Sequence, residues 1–204
     1  MINNFNLAPK LLCHVRFLYA CPDFGPINIF ANRKPIVQNC NFSEATKYLD
    51  LPPMQYKIEV FKVSDNNKPI LEYDFEAIPT MTYTICLTCL SGKFQVIHLK
   101  DNFNKKKDDT SYLRFINLSP NAPLLNLSIS ENNPLFSNVE FCETTNYYPL
   151  TPNNYSFTIY NNKFSMFKKK IPNLNLLSGE QYTLFIIGLL NGKPSLGYLF
   201  LKDM

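Results

Sequence analysis

The chain has 204 residues, of which 46% are hydrophobic and 18% are charged, a composition typical of a folded globular protein. Its net charge is +4 and its Lys and Arg residues are scattered, so the sequence argues against a nucleic-acid-binding protein. No window approaches the ~18 uninterrupted apolar residues that a membrane-spanning helix needs, so no membrane span is expected. The first residues lack the basic start and apolar run of a secretory signal. We therefore expect a cytoplasmic protein at synthesis, with the spore surface or cell envelope, reached without such a signal, as the alternative.

Apolar residues alternate with polar ones at the spacing of β-strands. The clearest case is the first strand-like segment after the Pro52-Pro53 turn, where Tyr56, Ile58 and Val60 are separated by single polar residues. Further short runs of the same kind occupy residues 11–19, 27–31, 35–40, 69–77, 82–90 and 94–100. A single helical turn over residues 42–46, capped by Ser43, is a further expectation. Short strands separated by frequent Pro, Gly and Asn turns predict an all-β protein with the architecture of a β-sandwich.

The second half of the sequence repeats the first at a shift of 98 or 99 residues. Arg16 returns as Arg114 and Tyr48 returns as Tyr147, each within a similar local sequence. A polar and charged segment, residues 101–110, separates the two copies and is predicted to be a linker. The repetition predicts two tandem β-sandwich domains, residues 1–104 and 110–204.

The repeated motifs resemble the bacterial "domain of unknown function 4397" family, which occurs as one or two tandem copies. The motifs that carry the resemblance, in chain order within the two copies, are Arg16, Pro22-Asp23, Pro35-Ile36, Phe42-Ser43-Glu44, Tyr48 and Tyr83-Thr84, then Arg114, Ser119-Pro120-Asn121, Pro134-Leu135, Phe141-Cys142-Glu143, Tyr147 and Tyr182-Thr183. The resemblance implies immunoglobulin-like or transthyretin-like sandwiches and no established activity. Tyr19 and Asn117 stand where the family commonly has His, so we expect no catalytic His. Many family members look exported, whereas this sequence shows no signal.

The chain has 6 Cys residues, and none of them has a Cys at the matching position of the other copy. Cys86 and Cys89 have the spacing of a metal or redox pair, but residues three apart on a strand point to opposite faces of its sheet. We therefore expect Cys86 to point outward and Cys89 inward, with no metal, no cofactor and, under reducing conditions, no disulfide within the chain. Exposed thiols, with Cys86 and Cys142 as the candidates, leave crosslinking between chains as an alternative.

Two charged residues are present in both copies, Arg16 with Arg114 and Glu44 with Glu143. An Arg and a carboxylate of the same domain can form a bidentate pair that holds a loop against a sheet. The sequence therefore predicts the structural pairs Arg16–Glu44 and Arg114–Glu143. The alternative is a ligand site in which each Arg binds a carboxylate or a phosphate.

Aromatic residues provide the other candidate binding surface. Tyr19, Tyr147, Tyr148 and Tyr160 are placed where their rings could stack against a sugar or anchor a protein partner. The simpler interpretation is that most aromatic rings fill the two cores.

No nucleophile elbow, phosphate-binding glycine loop or Cys–His pair marks an active site. The sequence therefore favours a non-enzymatic structural or adhesive tandem module, expected in the cell or spore envelope, that associates with itself or with another protein. The alternative is a small-ligand or carbohydrate-binding protein, and an enzyme is a third and weaker hypothesis.

Overall fold

The computed structural model describes residues 11–22, 24–101, 108–130, 133–161 and 167–204. The regular elements in these ranges are all β-strands, and none of the ranges contains a helix. The strands form four sheets of four or five strands each. The prediction of an all-β protein is confirmed.

Nine strands belong to the first half of the chain. They are β1 (Cys13–Tyr19), β2 (Ile27–Ala31), β3 (Lys34–Cys40), β4 (Glu44–Ala45), β5 (Leu49–Leu51), β6 (Gln55–Lys62), β7 (Leu71–Glu76), β8 (Thr82–Leu90) and β9 (Lys93–Lys100). One sheet has the order β4-β1-β8-β9, with β5 also paired to β1, and the other has the order β3-β2-β6-β7. The longer strands match the runs predicted from apolar alternation, because alternate burial is what that pattern specifies.

Eight strands belong to the second half. They are β10 (Ser111–Asn117), β11 (Leu125–Ser130), β12 (Asn133–Val139), β13 (Tyr148–Leu150), β14 (Asn153–Asn161), β15 (Phe167–Leu176), β16 (Gln181–Ile187) and β17 (Gly197–Lys202). Their two sheets have the orders β13-β10-β16-β17 and β12-β11-β14-β15. Strands β10 and β16 are parallel neighbours, and this register places Arg114 opposite Thr183.

The hydrophobic core of the second half draws on both of its sheets. Leu113 and Phe115 of β10 are fully buried in one cluster with Leu127 of β11 and with Phe157 and Ile159 of β14. Along β14, Phe157 and Ile159 alternate with more exposed residues, so one face of that strand is buried and the other is closer to solvent. Burial of this face is the main force that fixes the register of the sheet.

Grouped by contacts, the chain forms two compact units. The first consists of the described parts of residues 1–19, 24–86 and 98–102, and the second of the described parts of residues 20–23, 87–97 and 103–204. The predicted linker falls largely outside the described residues, since 102–107 are not among them.

The helical turn predicted for residues 42–46 is wrong. Ser43 has a φ of 71°, in the left-handed region, so it cannot cap a helix in the usual way. Glu44 and Ala45 instead form the short strand β4, which pairs with Tyr19 and Leu18 of β1. Ser43 thus lies in the turn before β4, in the left-handed conformation that short polar residues adopt more readily than other non-glycine residues.

Candidate functional site

A buried polar network surrounds Arg114 in the second half of the chain. Its Nε donates a hydrogen bond of 2.9 Å to Thr183 Oγ1, and its Nη2 lies 3.6 Å from Asp203 Oδ2. Thr183 in turn donates a 2.5 Å hydrogen bond to Asp203, and Tyr147 donates another of 2.8 Å to the same carboxylate. The ring of Tyr147 also covers the guanidinium, with 4.6 Å between Arg114 Cζ and the ring centroid. One Asp therefore collects three partners in a buried site.

The first half contains a network of the same residue types around Arg16. Nε and Nη2 of Arg16 donate hydrogen bonds of 3.0 and 2.8 Å to Thr84 Oγ1. Thr84 donates a 2.5 Å hydrogen bond to Asp101, which also accepts one of 2.8 Å from Tyr48. Arg16 Cζ lies 4.7 Å from the centroid of the Tyr48 ring. Each threonine hydroxyl thus accepts from the arginine and donates to the aspartate, so it joins the two charged groups.

The networks are closed to ligands by their burial. Arg16 and Arg114 are each only 4% exposed, and Thr84, Asp101, Thr183 and Asp203 are at most 1% exposed. A buried carboxylate is costly unless hydrogen bonds and an opposite charge compensate it, and both networks provide this compensation. Each network is suited to holding the aspartate that directly follows β9 or β17 against the sheet. The arginines point inward, away from any phosphate or carboxylate ligand.

The predicted partners Glu44 and Glu143 have another role. Glu44 Oε2 accepts a 2.7 Å hydrogen bond from the backbone N–H of Asn41, and Glu143 Oε2 accepts one of the same length from Glu140. Both Glu side chains are exposed and hold the turn that precedes them. The predicted Arg–Glu pairing is therefore corrected: the carboxylates of the buried networks are those of Asp101 and Asp203.

The sequence contained a signal for these aspartates. Leu99-Lys100-Asp101 recurs as Leu201-Lys202-Asp203 at the end of each half. Its shift of 102 residues differs from the shift of the other motifs. The repeat pattern therefore places Asp101 in the predicted linker, whereas the structure buries this residue fully.

A disulfide joins Cys21, which follows β1, to Cys89 near the end of β8. Their Cα atoms are 5.1 Å apart, within the range that a disulfide can span. The structure thus contains a bridge where the sequence predicted reduced cysteines. The corresponding positions of the second half, Ser119 and Gly188, are also in contact through a 2.6 Å hydrogen bond from Ser119 Oγ to the Gly188 carbonyl. A Cβ atom at Gly188 would collide with the Ser195 carbonyl oxygen, so no Cys fits there.

The other four cysteines are not disulfide-bonded. Cys86 is fully buried, in contrast to the predicted outward orientation, because β8 is covered on both faces and Thr84 and Thr88 are buried with it. Cys142 is partly exposed, and desolvation raises the pKa of its thiol to about 11. In the part of the chain that the structure describes, no three His, Cys, Asp or Glu side chains are grouped to hold a metal ion.

The four tyrosines predicted as binding residues lie in different environments. Tyr19 is fully buried, with its hydroxyl donating to the Gly25 carbonyl, which rules it out as an exposed platform. Tyr147 belongs to the Arg114 network. Tyr148 is 43% exposed and packs edge-on against Phe136, whereas Tyr160 is partly exposed on β14. The structure thus does not bring the four rings into one surface.

A cleft that the sequence did not indicate lies beside β2 and β6. It has a volume of about 380 Å³ and is lined by the residues Phe30, Arg33, Glu59, Phe61, Asn66, Asn67 and Pro69. Inward-facing neighbours on the same strands, such as Ile29 and Val60, are buried, so the cleft occupies the opposite face of this sheet. The two Phe rings meet edge to face, with centroids 5.2 Å apart.

The strand arrangement defines an all-β protein. The polar feature that recurs in both halves is a buried network of Arg, Thr, Asp and Tyr. The chain belongs to the family described as a domain of unknown function (DUF4397), whose model matches residues 13–128, more than half of the sequence. No curated protein matches the sequence. In the described ranges, no helix has the length and apolar character needed to cross a membrane.

Proposed function

We propose that this chain is a non-enzymatic structural or adhesive module of two tandem immunoglobulin-like β-sandwiches that acts in the cell or spore envelope. The observation that carries the proposal is the recurrence of one buried Arg–Thr–Asp–Tyr network in each half. Equivalent strand orders in the two halves support the tandem arrangement. A core that takes residues from both sheets of the second half supports a sandwich.

The chemistry of the networks supports a scaffold over an enzyme. A catalytic Arg, Thr or Asp must reach a substrate, whereas these side chains are buried and satisfy one another. Buried, fully connected polar groups are suited to specifying one rigid arrangement of the strands. Two such modules, one after the other along the chain, are suited to a structural role in an adhesive or a coat.

The disulfide supports a location outside the reducing cytosol. Disulfides persist mainly in oxidising surroundings such as the cell surface. The Cys21–Cys89 bridge closes a sequence separation of 68 residues and so adds covalent stability to the folded chain. Envelope proteins are exposed to conditions in which such stability is useful.

Fractionation of the producing bacterium into vegetative cells, spores and culture medium, followed by detection with an antibody, tests this proposal. We expect the protein in the envelope or spore-coat fraction, with Cys21 and Cys89 joined when thiols are blocked before lysis. Recovery only in the cytosol with both thiols reduced would contradict the proposal. Markers for each compartment provide the control for cross-contamination.

Carbohydrate binding is the second candidate function. The cleft beside β2 and β6 favours it, because small-molecule sites in proteins commonly have volumes of roughly 300 to 1,000 Å³. Its volume of about 380 Å³ falls in this range.

A further inference from the structure

The cleft combines an apolar surface with several hydrogen-bonding groups. The edge-to-face rings of Phe30 and Phe61 form its apolar part. Arg33 and Glu59 add a guanidinium and a carboxylate, and neither has an ion-pair partner among the described residues. Arg33 is exposed and Glu59 is half-buried, so both charged groups can reach a ligand that packs on the half-buried rings.

The backbone holds Arg33 at the cleft in an unusual conformation. Asn32 and Arg33 have φ values of 49° and 63° and connect β2 to β3 as a two-residue hairpin turn. The second position of such a turn is normally Gly, because a side chain is disfavoured there. Asn32 Oδ1 accepts a 2.8 Å hydrogen bond from the Lys57 N–H, which ties the turn to β6. Arg33 thus places a long charged side chain at a position where the turn itself favours Gly.

The opposite rim is also fixed by local hydrogen bonds. Asn28 Nδ2 donates to Asn66 Oδ1 at 3.3 Å, and this bond does not use the amide N–H groups of Asn66. The backbone N–H of Asn67 donates to Asp65 Oδ1 at 3.0 Å and orders the same turn. The rim thus presents amide groups in a preorganised loop.

We propose that this cleft binds a saccharide. The apolar face of one sugar ring packs on Phe30 and Phe61, because the C–H groups of a pyranose match an aromatic surface. Its hydroxyl groups, which both donate and accept, match the donors of Arg33 and the amides and the acceptor oxygens of Glu59. This site rests on the carbohydrate-binding candidate and gives its location and contacts, and it requires neither the scaffold role nor the envelope location.

The second half provides an internal control for the proposal. Tyr160 occupies the position of Phe61, but Ser128 and Thr158 stand where the first half has Phe30 and Glu59. Ser128 is buried, at 1% exposure. The binding site is therefore assigned to the first half alone.

Isothermal titration of the full chain with maltotriose, cellotriose and triacetylchitotriose tests the proposal. We expect at least one trisaccharide to bind, and Phe61→Ala, Glu59→Gln and Arg33→Gly each to weaken it about tenfold or more. Arg33→Gly is the decisive variant, because Gly suits the turn and the fold is retained. Tyr160→Ala is the matched control and leaves the affinity unchanged.

Two results would overturn the proposal. One is the absence of a heat of binding for all three sugars at about 10 mM, well above a millimolar dissociation constant. The other is binding that Arg33→Gly and Glu59→Gln leave unchanged while circular dichroism shows the native β-spectrum. Localisation of the protein does not enter either readout, so the saccharide site and the scaffold proposal fail independently.

Discussion

Arg114 and Asp203 form a buried ion pair in which Nη2 and Oδ2 are 3.6 Å apart, and Thr183 hydrogen-bonds to both residues. The pair joins β10 to the residue that directly follows β17. Removing one member of such a pair leaves a buried charge without compensation, which is far more costly than the loss of a surface salt bridge.

Arg114→Met should therefore lower the free energy of unfolding by about 3 to 5 kcal/mol. Met retains most of the apolar stem, so the loss reports the charge and its hydrogen bonds. Chemical denaturation measures the effect. Glu143→Gln is the control, for which we expect less than about 1 kcal/mol, since an amide oxygen still accepts the turn N–H. A larger loss for Glu143→Gln than for Arg114→Met would restore the original Arg–Glu hypothesis.

Tyr48→Phe and Tyr147→Phe provide a matched test of the two networks. Each variant removes a 2.8 Å hydrogen bond to a buried carboxylate but retains the ring that covers the guanidinium. We expect each to lower the free energy of unfolding by about 1.5 to 3 kcal/mol, the usual range for hydrogen bonds to charged groups. Urea denaturation of both variants and of the parent measures this loss. If only one substitution has an effect, the two networks are not energetically equivalent.

The disulfide predicts a definite thiol count. Without a reductant, the denatured protein should react at four thiols, those of the cysteines outside the disulfide, and after reduction at all 6. Reduction should lower the free energy of unfolding by about 2 to 4 kcal/mol, since the bridge closes a long loop. Titration with a chromogenic disulfide reagent gives the count. Cys86→Ala should reduce the count by one without breaking the bridge, and six thiols in unreduced protein purified under oxidising conditions would refute the pairing.

Cys142 should be a slow nucleophile despite its partial exposure. Burial raises the pKa of its thiol to about 11, so its thiolate fraction at pH 8 is lower by about 100-fold than that of a thiol with a pKa of 9. Alkylation by iodoacetamide should accelerate about tenfold per pH unit until the pH approaches the pKa. Mass spectrometry of the folded protein follows the reaction, with Cys142→Ser as the blank. Rapid alkylation at pH 7 would contradict the raised pKa and revive crosslinking through this residue.

Local patterns were sufficient for most of the strands. Tyr56, Ile58 and Val60 are buried in β6 as their alternation predicted, because a strand places successive side chains on opposite faces. The same rule misplaced Cys86, since β8 is buried on both faces and alternation there carries no information about exposure. The resemblance to a family, drawn from the repeated motifs, agrees with the family to which the chain belongs.

The sequence by itself determined the all-β class, the positions of the long strands and the burial of Tyr56, Ile58 and Val60, because these depend on side-chain alternation over a few residues. It also indicated that Arg16 and Arg114 have corresponding roles. Only the tertiary structure decided their partners, since Asp101 and Asp203 are more than 80 residues away along the chain and reach them through sheet pairing. The Cys21–Cys89 bridge and the cleft at Phe30 and Phe61 were decided in the same way. Contacts between distant residues depend on which strands become neighbours, and no local pattern records that choice.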